Sequence, residues 1–238
     1  MIQFFRKIRK SLLTQGKIGK YIPYALGEIF LVVVGILLAL QINNWNEHKK
    51  QKSIAKELLK DIEISLANNY TQLNFVINYN QEGNTSAELI KHQIQNNLPY
   101  HDSLDLHFSK AIQYSTPVLK NPGYESLKVF GLNLVENDSL IKALGDFYNM
   151  GWIETLVFRQ ESYYYGTASP ILVELFESVA MRNSMKPFNY NTLLTSNEYL
   201  SILNTMIAYR KDQNVWYFEN LQQLDEIKNM ISEELQKP

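Results

Sequence analysis

The sequence predicts a mostly α-helical protein: one N-terminal transmembrane helix followed by an elongated helical bundle with long first and last helices. Three observations lead there. An uncharged apolar run from Ile29 to Leu40 sits inside a longer greasy stretch, Ile22 to Ile42. Apolar side chains on both sides of the soluble region recur at steps of three and four, the helical period. Only 10 glycines and 7 prolines occur in 238 residues, too few for a many-turned β architecture.

The stretch 22–42 is long enough for the role. About 20 residues rising 1.5 Å each cross a hydrocarbon core of about 30 Å. Tyr24 and Trp45 bracket it, which places amphipathic rings near both interfaces. Pro23 is expected in the first turn, where its missing N–H costs little. A cleaved signal peptide would end in small residues, but the run leads into Gln41-Ile42-Asn43-Asn44-Trp45. A buried core helix rarely sustains such a run beside a cationic arm.

The arm is residues 1–20, with Arg6, Lys7, Arg9, Lys10, Lys17 and Lys20 and no acid. Ile2, Phe5, Ile8 and Leu12 fall at helical spacing between these cations, a pattern suited to an anionic cytoplasmic leaflet. Beyond the span, Lys49, Lys50, Lys52 and Lys56 form a second, smaller cluster. The balance predicts a cytoplasmic N-terminus and a periplasmic C-terminal domain at a bacterial inner membrane. Domain boundaries follow as 1–20, 21–43 and 44–238.

Within the span, Gly35 and Ala39 are a small-xxx-small pair that would let a second helix approach, from a homodimer or a membrane-protein partner. Glu28 is an intramembrane carboxylate. It reads either as a helix contact or as an interfacial group near the positive helix end.

Six of the 23 Lys and Arg precede residue 21, and one of the 24 acids is Glu28. The remaining 17 basic and 23 acidic side chains give the soluble region a net charge of −6. That balance argues against nucleic acid as a partner. The absence of cysteine excludes disulfides, thiolate metal sites and a catalytic thiol.

Along the soluble region, Ile54, Leu58, Ile62, Leu66, Tyr70, Leu73 and Ile77 predict one long helix from Asn43 to about Asn80. Gln81-Glu82-Gly83-Asn84 then reads as a break, with a shorter helix over Thr85–Asn96. Asp102 is the expected N-cap of a helix burying Leu104, Phe108, Ala111 and Ile112. Tyr124 to Phe130 predicts a short helix closed by Gly131. Asp138 would cap a helix burying Leu140, Leu144 and Phe147 and continuing through Trp152, Leu156 and Tyr163. Pro170 opens a further run to Val179 or Arg182, Pro187 marks a loop, and Ser196 caps the last helix. In that helix Leu203, Met206, Arg210, Gln213, Tyr217, Asn220, Leu224, Ile227 and Ile231 alternate steps of three and four, a coiled-coil-like stripe with polar interruptions. The two long helices are expected to pair antiparallel.

Three stretches together carry a resemblance: Phe4-Phe5-Arg6-Lys7-Ile8-Arg9; Tyr24-Ala25-Leu26-Gly27-Glu28-Ile29 running into Gly35-Ile36-Leu37-Leu38-Ala39-Leu40-Gln41-Ile42-Asn43-Asn44-Trp45-Asn46; and Tyr124-Glu125-Ser126-Leu127-Lys128. The chain resembles a domain-of-unknown-function family of single-span membrane proteins from Gram-negative bacteria. The resemblance implies a membrane location and carries no activity, substrate or catalytic residue.

Candidate chemistry is sparse. His101, Asp102, Asp105 and His107 crowd one stretch and offer metal ligands, the basis of an alternative reading as a membrane-tethered hydrolase acting on an envelope component. Against it, the aspartates already have a helix-start role, and residues 105 and 107 point to different faces of a helix. Tyr124, Glu125 and Lys128 form a possible functional surface, although Glu125 and Lys128 also make an ordinary i,i+3 pair. The clusters Tyr163-Tyr164-Tyr165 and Trp216-Tyr217-Phe218 should each leave a ring exposed. With no phosphate loop, dinucleotide fingerprint or serine elbow, no cofactor is expected. The sequence therefore favours an interaction, accessory or sensing module over an enzyme.

Overall fold

One long helix, α1 (Ile18–Gln95), carries the chain from the apolar segment into its folded region. The computed structural model describes residues 18–149, 151–180 and 183–237, so the amphipathic arm over 1–17 lies outside the described residues, as do the side chain of Tyr24 and residue Arg182. Among the described residues there are helices and no β-strand; one isolated bridge joins Phe176 to Pro187. The chain divides into two compact units, Met1–Ile54 and Ala55–Pro238.

In the first unit almost every apolar side chain from Leu26 to Ile42 is exposed, with Phe30 and Ile42 among the barest. The helix begins earlier than the sequence suggests, so Pro23 is interior rather than in the first turn. It forgoes the bond its missing N–H would have made to the preceding turn. The Lys49 ammonium lies over the Trp45 ring, 5.8 Å from its centroid.

In the second unit α1 pairs antiparallel with the last helix, α8 (Asn197–Gln236). Lys56 Nζ donates to the Lys237 carbonyl at 2.9 Å, the Lys228 ammonium sits over the Tyr70 ring, and Asn80 Nδ2 donates to Asn214 Oδ1 at 2.9 Å. Every residue of the stripe read in α8 is buried, and the Ser196 hydroxyl accepts the Tyr199 N–H at 3.1 Å as its cap. The α1 stripe needs one correction. Leu58, Ile62, Leu66, Leu73 and Ile77 face inward, but Tyr70 is exposed and Asn69 is buried in its place.

The expected break at 81–84 does not occur; α1 continues to Gln95. One interior glycine costs about 1 kcal/mol of helix propensity. Burial of Ala87, Ile90 and Ile94 against the bundle outweighs it.

Shorter elements fill the space between the long helices. The first is α2 (Leu104–Ile112). It buries Leu104, Phe108, Ala111 and Ile112, but Asp102 is not its cap; Ser103 occupies that position and makes no capping bond. Next comes α3 (Pro122–Phe130), which ends at Gly131, whose φ of +117° only glycine adopts without strain. A single turn over Leu132–Leu134 then leads to α4 (Asp138–Phe147). Its cap is Asn137, not Asp138: Asn137 Oδ1 accepts the Leu140 N–H at 3.1 Å.

The chain then breaks at Tyr148 and Asn149 instead of continuing as one helix. A new helix, α5 (Gly151–Tyr163), runs through a wider turn over Tyr164–Ala168 into α6 (Ser169–Leu175), with Pro170 in its first turn. That helix stops short of Val179, because Phe176 turns out to meet Pro187 and Phe188 N–H bonds to the Leu175 carbonyl. The short α7 (Tyr190–Thr195), capped by Asn189, leads to α8.

Candidate functional site

Three places in the second unit hold polar groups with structural consequences. The first is the His/Asp stretch. Its members bond separately: His101 Nδ1 to the Ser103 hydroxyl, the Asp105 carboxylate to the Tyr100 hydroxyl at 2.6 Å, and His107 Nδ1 to the Ser86 hydroxyl at 3.1 Å. Asp102 is exposed. Among the described residues no group of three or more His, Asp or Glu is placed to hold a metal.

The second place is the start of α3. Asn69, buried on α1, grips the preceding strand of chain with both ends of its carboxamide: Nδ2 donates to the Lys120 carbonyl at 2.9 Å, and Oδ1 accepts the Lys120 N–H at 2.8 Å. Gly123 then lies directly on the α1 backbone. A Cβ there would stand 2.7 Å from Ile62 N and 2.8 Å from Asp61 C. The close approach leaves an open cleft of about 280 Å³ lined by Asp61, Ser65, Asn68, Lys120 and Ser126. The proposed surface residues are mutually engaged beside it. Glu125 and Lys128 form an ion pair at 2.8 Å, the Lys128 ammonium lies over the Tyr124 ring, and Tyr124 stacks on Tyr148 with centroids 5.3 Å apart. Burial pushes the Tyr148 phenol up to about 12, with the nearby Asn69 carboxamide pulling the other way.

The third is a buried polar layer crossing the bundle where α1, α5 and α8 meet the end of α2. Asn80 donates to Asn214, and Gln213 bonds the Gln160 carboxamide. Asn80 Oδ1 and Gln160 Nε2 are left without partners. Arg210 anchors the layer. It is fully buried, and its guanidinium donates to four backbone carbonyls: Ala111 at 2.7 Å, Gln113 at 3.1 Å, Lys110 at 3.4 Å and Met206 at 3.1 Å. Three of these belong to the C-terminal end of α2, where carbonyls lack helical partners and carry partial negative charge. Burial lowers the Arg210 guanidinium to about 10, so it stays cationic near neutrality.

This arrangement explains Gly83. A Cβ at that position would fall on the Arg210 guanidinium and 3.2 Å from the Lys110 carbonyl. The glycine that reads as a helix break is the opening through which α1 admits Arg210. A charged residue recurring at a core position of a stripe was the available signal, and its partner could not be read from spacing.

In the first unit a Cβ on Gly35 would meet nothing within 4 Å. Among the described residues nothing packs against the Gly35 position. Glu28 is half-buried. Trp45 is exposed. The exposed rings expected in the aromatic clusters are Tyr165, Trp216 and Phe218, while Tyr217 is buried.

These features define an all-helical bundle protein with one helix long and apolar enough to cross a membrane, and with no metal-holding group of His, Asp or Glu among the described residues. The model of the Family of unknown function (DUF6090) matches residues 28–152, a little over half of the chain. The chain belongs to this family. The match covers α1 from Glu28, α2, α3 and α4, and ends just inside α5, so Arg210 and α8 lie beyond it. No curated protein and no solved structure matches the chain.

Proposed function

We propose that this chain is a single-pass protein of a bacterial inner membrane whose helical domain is an interaction, accessory or sensing module of the envelope. One observation carries the reading. Among the described residues nothing buries the apolar window of α1, so in water it would present a continuous hydrophobic surface far larger than soluble proteins tolerate. Lipid is the solvent that removes this cost. The positive arm at 1–20 supports a cytoplasmic N-terminus and a periplasmic domain. Gly35 and Ala39 support a helix partner, either a second copy or another membrane protein, with Glu28 on the same segment as a polar contact.

Two measurements test this. Full-length protein should float with vesicles and resist alkaline carbonate extraction; recovery as a folded, monodisperse species in the detergent-free supernatant would overturn the anchor. Protease added to spheroplasts should digest the C-terminal domain, and a domain that survives while exposed controls are cut would reverse the orientation.

A further inference from the structure

We propose that the two turns of α1 just past its apolar run bind the headgroup phosphate of an anionic phospholipid, through Asn46, Lys49 and Lys50 beside Trp45. The proposal rests on the anchor reading above. All four residues lie on one helix that runs unbroken from Ile18 to Gln95, and they belong to the same unit as the apolar run.

The apolar stretch sets their depth. From the middle of residues 22–42, a half-core of about 15 Å is crossed in about ten residues, which ends at Ile42. The headgroup layer adds roughly 5–7 Å, enough to take in Trp45 and Asn46. Lys49 and Lys50 start about one turn further out. Side chains on a helix lean toward its N-terminus, which here is the membrane end. Lys49 shows that lean: its ammonium lies 5.8 Å from the centroid of the Trp45 ring, one turn back. The same lean carries Lys50 back toward the level of Asn46.

At about 100° per residue, Asn46 falls between Lys49 and Lys50 and one turn nearer the membrane, as their i−3 and i−4 neighbour. A carboxamide N–H and two ammonium groups thus share one stretch of helix surface, a donor set suited to phosphate oxygens. Trp45 borders it, 68% exposed, at the depth where indole rings settle. Residues 43–50 are all exposed, so among the described residues nothing covers this surface.

Charge selects the kind of lipid. Residues 43–54 hold Lys49, Lys50 and Lys52 against one acid, Glu47, which accepts a hydrogen bond from Gln51 at 3.3 Å. A phosphatidylglycerol headgroup brings a net negative charge to that excess. A phosphatidylcholine headgroup brings its own cation along with the phosphate and gains little.

The chain has no cysteine, and Ile42, one turn before Asn46 on the same face, is 66% exposed and can carry a label. Full-length I42C, and I42C with K49Q and K50Q, would be labelled with a fluorophore and reconstituted into phosphatidylcholine vesicles. The vesicles would contain equal small fractions of phosphatidylglycerol or phosphatidylcholine bearing a nitroxide at the same shallow acyl position. Comparing the two proteins cancels any contribution from the six cations of residues 1–20, which both share. On I42C the anionic quencher should act at least about twofold more strongly than the zwitterionic one, and K49Q with K50Q should bring the ratio to about one. A ratio of one with both lysines present, or a ratio that their replacement leaves unchanged, would overturn the proposal while the anchor stands. Inorganic phosphate that abolishes the ratio where chloride of equal ionic strength does not would assign the site to a soluble anion and overturn it equally. Failure of the protein to float with the vesicles would remove the anchor reading itself, and this proposal with it.

Discussion

At the scale of single residues, Arg210 is the side chain on which most depends. It is a buried cation held by carbonyls, and it closes the end of α2 against α8. Replacing it with Met would leave the Ala111 and Gln113 carbonyls buried without donors. That should cost about 3 kcal/mol, read as a lowered denaturation midpoint of the full chain in detergent. Gly83→Ala should produce a loss of similar sign, because the added methyl displaces the guanidinium. A G83A protein as stable as the original would show that the cage is not needed.

The tyrosines set the alkaline behaviour. Burial lifts Tyr148 to about 12 and raises Tyr199 and Tyr217 as well. Unfolded tyrosine loses its proton near pH 10, so above that the unfolded chain binds fewer protons than the folded one and stability falls. Arg210 acts oppositely above about pH 10, since its folded form releases a proton the unfolded form keeps. Three tyrosines outweigh one arginine. The midpoint should hold between pH 7 and 9 and decline from pH 10 upward, and Tyr148→Phe should make that decline shallower.

At the scale of elements, the hairpin of α3 and α4 is fastened to α1 by two small devices. Asn69 supplies both hydrogen bonds that fix Lys120, and Gly123 allows backbone contact with Ile62. Asn69→Ala should cost about 2 kcal/mol for two lost bonds. Gly123→Ala should cost roughly 1–3 kcal/mol by pushing α3 off α1. Both variants should raise amide exchange within 120–130 more than within α8, since the element loosens locally before the bundle opens. Uniform loss of protection would instead mean that hairpin and bundle unfold together.

At the scale of the whole molecule, the division of labour lies between an apolar segment whose side chains are exposed among the described residues and a bundle crossed by a buried polar layer. Asn80, Gln160, Gln213 and Asn214 contribute little net stability, because their hydrogen bonds replace equally good bonds to water. They make any shifted pairing of α1 and α8 costly, since a slip would bury them unpaired. The apolar segment is tested separately. Charged residues near the centre of a membrane helix cost about 2.5–3.5 kcal/mol each. Val33→Asp combined with Leu37→Asp should therefore move the full chain out of the membrane fraction, and retention there would show that another surface does the anchoring.

The sequence by itself determined the helical class, the apolar helix and the inward stripe of α8, including its polar members Arg210, Gln213 and Asn220. These depend on periodicity and composition, which act locally along one helix. It also identified Ser196 as a cap and Gly131 as a terminator, because both act within a few residues. Tertiary structure decided the rest. Gly83 read as a break because its reason lies on another helix, more than a hundred residues away. Asn69 displaced Tyr70 from the core because the carboxamide was needed by Lys120, a partner that periodicity cannot reveal. The adjacent acids Asp102 and Asp138 lost the capping positions to Ser103 and Asn137, a choice of one residue that the path of the incoming chain makes. The exposure of Val129 and Phe130 was likewise invisible, since apolar residues at a helix end are ordinarily buried and only the assembled bundle decides which ones are.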